Sequence, residues 1–119
     1  MKSLLIIDDE PLIIKYLGKL LSKNYHTFSF NNAEEAIEHL KHNNDIDFII
    51  SDYMMNNSNG IDVLEYIINK NYFINYKKQF IFMTAFNENE IFHKLNNTGC
   101  RIINKSELTV SKIEEFLSG

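Results

Sequence analysis

The stretch Leu4-Leu5-Ile6-Ile7-Asp8-Asp9-Glu10-Pro11 decides how this chain folds. Four apolar residues that end abruptly in acids describe a short buried strand. Pro11 then stands where a first helical residue would, its missing N–H costing nothing there. Ile13, Leu17, Leu20 and Leu21 follow at helical spacing, which predicts a helix from Pro11 to about Ser22. A buried strand that feeds straight into an amphipathic helix is the unit of an α/β fold.

The same alternation continues downstream. Thr27 to Phe30 reads as a second strand, and Asn32 as an N-cap with Glu35 as its capping-box partner. Ala33, Ala36, Ile37 and Leu40 stripe the helix that follows. Phe48-Ile49-Ile50-Ser51-Asp52 is apolar enough to be a central parallel strand. Tyr53 to Asn59 is polar and predicts a loop, and Ile61, Leu64, Ile67 and Ile68 give a third helix. Phe80 to Thr84 is a fourth strand, Glu88 to Leu95 a polar fourth helix, Ile102 to Asn104 a short fifth strand. Val110, Ile113, Phe116 and Leu117 stripe the last helix. The expectation is an α/β, flavodoxin-like (βα)5 fold, doubly wound on a five-stranded parallel sheet of order 2-1-3-4-5, with helices on both faces. Residues 1–119 form one domain, and neither repeat nor linker interrupts them.

Composition narrows the function. A net charge of -4 with scattered lysines argues against a nucleic-acid partner for this domain. The apolar start is too short for a signal peptide or a membrane span, so no membrane partner and a cytoplasmic location are expected. Cys100 has no Cys or His at metal-ligand spacing and reads as a small buried hydrophobe. Only Gly18, Gly60, Gly99 and Gly119 are glycines, so there is no Gly-rich phosphate loop.

In this fold class ligands sit beyond the carboxyl ends of the strands, where the strand order reverses. The first strand ends in Asp8-Asp9-Glu10, the third in Asp52, the fourth in Thr84-Ala85 and the fifth in Asn104-Lys105. Each has a bland alternative: an Asp at a strand end caps helices, Thr is common in strands, Lys is a common exposed cation. Together they place carboxylates, a hydroxyl and an ammonium on one rim. Asp8, Asp9 and Asp52 would repel one another unless a cation lies between them, and carboxylate oxygens with water suit Mg²⁺. A carboxylate can also attack phosphorus to give an acyl phosphate, whose spread negative charge Mg²⁺, Lys105 and Thr84 would neutralise.

This constellation resembles the receiver domains of two-component response regulators, the chemotaxis regulator among them. The resemblance rests on Asp8-Asp9, Asp52, Met55, Gly60 eight residues after Asp52, Thr84-Ala85 and Lys105, and spans essentially the whole chain. It implies a phosphoacceptor in a phosphorelay, with Asp52 phosphorylated and Asp52, Thr84 and Lys105 carrying the chemistry. The metal would be Mg²⁺, held by Asp9, Asp52 and the Met54 backbone carbonyl directly and by Asp8 through water. The implied donor is a histidine kinase or a histidine phosphotransfer protein, and a homodimer through the fourth helix, fifth strand and fifth helix fits the family. The domain would catalyse its own phosphorylation and dephosphorylation as a switch rather than act as an enzyme. Leu12, Ile14 and Tyr16 are candidate docking residues on the first helix, and Met54 and Phe86 candidate screens against water.

Three positions depart from the pattern. Asn56 and Ser106 replace prolines, so a trans Lys105–Ser106 bond is expected. Ile102 stands where an aromatic switch residue usually lies. A phosphatase of the haloacid dehalogenase type is the first rival, but its Asp-x-Asp turn is absent because Asp8 and Asp9 are adjacent. A receiver-like interaction module that works without phosphate is the second.

Overall fold

A computed structural model describes residues 1–56, 58–85 and 89–118. The main sheet has strands β1 (Lys2–Ile7), β2 (Tyr25–Phe30), β3 (Phe48–Asp52), β6 (Phe80–Thr84) and β7 (Arg101–Asn104). They lie in the order β2-β1-β3-β6-β7 with every pairing parallel, which is the order 2-1-3-4-5 read from the sequence. Helices α1 (Pro11–Leu21), α2 (Ala33–His42), α3 (Gly60–Asn69), α5 (Asn89–Asn96) and α6 (Val110–Ser118) alternate with the strands.

The inner strands β1, β3 and β6 carry apolar runs because both faces of the sheet are covered there. Leu5 and Ile7 of β1 join Ile49, Phe80 and Phe82 under α2, α3 and α5, where Ala36, Leu40, Val63, Ile67 and Leu95 meet them. Leu4 and Ile6 point the other way and join Ile50, Ile81, Met83 and Ile103 under Leu17 and Leu21 of α1 and Ile113 and Leu117 of α6. The twofold alternation of side chains along a strand thus divides one apolar run between two cores. Cys100 is buried in the first of them, as its sequence context suggests.

The structure corrects the sequence reading at several places. Tyr53 to Asn59 is not simply a loop: Met54–Met55 (β4) and Ser58–Asn59 (β5) pair antiparallel as a small hairpin. A one-turn helix, α4 (Tyr76–Gln79), precedes β6 and was not foreseen. Strand β2 begins at Tyr25, two residues before Thr27. Asn32 caps α2 by accepting from the Glu35 N–H at 2.8 Å, but the reciprocal capping box lies at α3, between Asn59 and Asp62. The expected helix start at Glu88 falls outside the described residues.

Candidate phosphoacceptor site

Four strand ends deliver the site. Asp8 and Asp9 follow β1, Asp52 closes β3, Thr84 closes β6 and Lys105 follows β7. Asp8, Asp9 and Asp52 can each present a carboxylate oxygen within 4.8 Å of the others. Asp8 is fully buried and its Oδ1 accepts from the Glu10 N–H at 2.9 Å. Asp9 is half-buried and its Oδ2 accepts from the Asn56 N–H at 3.0 Å, which ties the first acidic turn to the β4–β5 hairpin. Thr84 is buried beside them.

The backbone holds Asp52 closely. The Tyr53 N–H donates to Met83 O at 3.0 Å and the Gly60 N–H to Tyr53 O at 2.8 Å, while Ser51 Oγ donates to Asp52 O at 2.9 Å. A Cβ on Gly60 would stand 2.6 Å from Asp52 O and 3.0 Å from both Ser51 Oγ and a Phe82 ring carbon. Only glycine therefore lets α3 begin against the carbonyl of Asp52, which gives a physical reason for the residue eight positions downstream.

Lys105 gathers the carboxylates. Its Nζ lies 2.9 Å from Asp8 Oδ2, 3.0 Å from Glu10 Oε1 and 3.2 Å from Asp52 Oδ2. The Asp8 contact is an ion pair without good hydrogen-bond direction, since Oδ2 has no aligned donor among the described residues. Opposite charges this close attract whatever their angle. Burial raises the Asp8 pKa, against the opposing pull of Lys105. Burial and the neighbouring Asp8 charge push Asp52 up to about 6. The lysine is raised too: its burial opposes the charge, but the close contacts with Asp8 and Glu10 outweigh that. Even with one ammonium present, the buried carboxylates are short of positive charge.

Above Asp52 lies a cleft of about 120 Å³ lined by Asp9, Glu10, Thr84, Ala85, Ile91 and Lys105, with Tyr53 and Met54 on its wall. The family profile described as "Response regulator receiver domain" matches residues 4–113. The chain belongs to the response regulator receiver domains. No curated protein matches it. Its fold is that of a LuxR-family DNA-binding response regulator from Staphylococcus aureus, at TM-score 0.84 and 20% identity over 99% of this chain and 97% of that one. The Vibrio cholerae chemotaxis protein CheY4 gives TM-score 0.83 and 19% identity over the same shares. A receiver domain from Clostridium thermocellum gives 0.82 and 20% over 99% and 92%.

The receiver's departures can now be placed. The Lys105–Ser106 bond is trans. The Ser106 N–H donates to Asn104 Oδ1 at 3.0 Å, a bond that a proline there could not make. Ile102 is partly buried against the α2, α3 and α5 core, opposite Phe82 in the sheet register. On α1, Leu12 is 80% exposed, Ile14 is half-buried and the exposed Tyr16 is tied by its hydroxyl to Leu108 O at 2.6 Å. Met54 is 64% exposed at the mouth of the cleft, and Phe86 lies outside the described residues. The sequence reading missed Glu10 as a partner of Lys105, because nothing local marks a contact that spans 95 residues.

No helix among the described residues is long and apolar enough to cross a membrane.

Proposed function

We propose that this receiver accepts a phosphoryl group onto Asp52 from the phosphohistidine of a cytoplasmic histidine kinase or phosphotransfer protein, with Mg²⁺ as cofactor. The observation that carries the reading is the placing of the Asp52 carboxylate at the floor of an open cleft, between two further aspartates and one lysine. The donor set fits the metal: hard carboxylate oxygens, packed closely enough to need more positive charge than Lys105 supplies. Asp9 and Asp52, with the Met54 carbonyl, would hold Mg²⁺ directly, and Asp8 would act through water. When bound, the metal neutralises charge on the transferring phosphoryl oxygens.

The chain's own groups do the remaining work. Asp52 supplies the attacking oxygen. From phosphohistidine, the phosphorus–nitrogen bond breaks as the phosphorus–oxygen bond to Asp52 forms, and the imidazole leaves with the electron pair. Lys105 neutralises a phosphoryl oxygen, and the Thr84 hydroxyl donates to another. Ala85 is small and exposed, so it leaves the group reachable. The domain is a self-modifying switch, not an enzyme that turns over a substrate pool. Incubation with acetyl phosphate and Mg²⁺, followed by intact mass, tests this. One added phosphoryl group is expected in the wild type and none in Asp52→Asn. Equal labelling of the variant would overturn the assignment.

A further inference from the structure

Three carboxylates crowd the Lys105 ammonium: it donates to Glu10 Oε1 and Asp52 Oδ2 and forms an ion pair with Asp8. Glu10 is the odd member. It stands at the N-cap of α1, yet its side chain makes no capping bond and reaches Lys105 instead. Glu10 lines the cleft together with Thr84 and Ala85, where a phosphoryl group would enter. Burial separates the three partners. The side chain of Asp8 is 0% exposed and that of Asp52 9%, whereas that of Glu10 is 57% exposed.

A phosphoryl oxygen that arrives beside Asp52 needs a donor from Lys105. Drawing the ammonium away from Asp8 would strand a buried charge, which is costly. Taking it from Glu10 releases a carboxylate that water can solvate at once, because an exposed ion pair is weak. We propose that Glu10 latches Lys105 in the unphosphorylated receiver and is displaced from it by the incoming phosphoryl group. The inference rests on Asp52 as phosphoacceptor and adds a positioning residue to that site. With acetyl phosphate as donor, the bond from Asp52 to phosphorus forms as the phosphorus–oxygen bond to acetate breaks. Acetate leaves with the electron pair, and one phosphoryl oxygen takes the N–H that Glu10 gives up. Glu10 does not touch the reacting atoms; it sets how readily Lys105 can turn to them.

Glu10→Gln keeps the length and removes the charge. Two quantities are measured with Mg²⁺ present: the affinity for inorganic phosphate by calorimetry, and the initial phosphorylation rate across a range of acetyl phosphate concentrations. Phosphate should bind about two- to fivefold more tightly, the range an exposed ion pair can supply. The half-saturating donor concentration should fall by the same factor while the maximal rate holds. Glu34→Gln removes an exposed acid from the first turn of α2, away from Lys105, and should change neither quantity. Unchanged or weaker phosphate binding in Glu10→Gln would overturn the latch. Equal gains in Glu34→Gln would overturn it too, by assigning the effect to general charge. Should the wild type accept no phosphoryl group at all, the phosphoacceptor reading fails, and the phosphate titration still decides the latch.

Discussion

Replacing Asp52 by Asn should make the metal-free domain more stable at neutral pH. Burial, and then the Asp8 charge, raise the Asp52 pKa from 3.8 to about 6, although Lys105 pulls the other way. Asn has nearly the same shape without the charge, so it stands in for the protonated acid. Between pH 3.8 and about 6 the unfolded chain gives up this proton first. Stability is therefore lost as pH rises through that window, and the whole loss is present above it. A shift of about two units corresponds to about 3 kcal/mol near pH 7.5. Near pH 4.5 the same linkage leaves about 1 kcal/mol, because the folded acid is already mostly protonated there. Urea unfolding of both proteins in EDTA at the two pH values measures it, and the melting temperature at the higher pH should rise by roughly 10 °C. Mg²⁺ should narrow the gap, because it binds the folded wild type in preference. Equal stability near neutral pH, or a gain that does not shrink on acidification, would refute the electrostatic account of the site.

Asp9→Ala should weaken Mg²⁺ affinity by about tenfold or more, read by titration calorimetry, if Asp9 is a direct ligand; an unchanged titration would remove it from the metal shell. Gly60→Ala should destabilise the fold by about 1–3 kcal/mol in urea, because its Cβ meets the Asp52 carbonyl at 2.6 Å and cannot be accommodated without moving it. Phosphorylation by acetyl phosphate should slow in the same variant. Leu12→Glu should slow transfer from a phosphohistidine donor and leave acetyl phosphate unaffected, since Leu12 is exposed on α1 and takes no part in the core; slowing with both donors would point to a disturbed fold.

Long-range order was legible where the chain buries both faces of a strand. The runs over residues 4–7, 48–50 and 80–83 are apolar without interruption, and a residue of the site follows each within two positions. Strand order then brought Asp8, Asp9, Asp52, Thr84 and Lys105 to one rim without any knowledge of contacts. What stayed hidden was short or distant. The β4–β5 hairpin has two residues on each side, too few for a period to show. Helix α4 is a single turn carrying Lys77 and Lys78, which reads as a solvated loop. Edge strand β2 starts with Tyr25-His26, whose polarity masked its first two residues. Glu10 looked like one more acid after the first strand. Its partner, Lys105, follows a strand at the far end of the sheet.

The acyl phosphate is expected on Asp52 and nowhere else. An acyl phosphate is reduced by borohydride to an alcohol, which leaves homoserine in place of the modified aspartate. The domain is treated with acetyl phosphate and Mg²⁺, reduced, digested and mapped by peptide mass. Homoserine is expected at position 52 alone, and none when Mg²⁺ is withheld with EDTA. Homoserine at Asp8 or Asp9, or a phosphate that survives reduction on a serine or threonine, would contradict it.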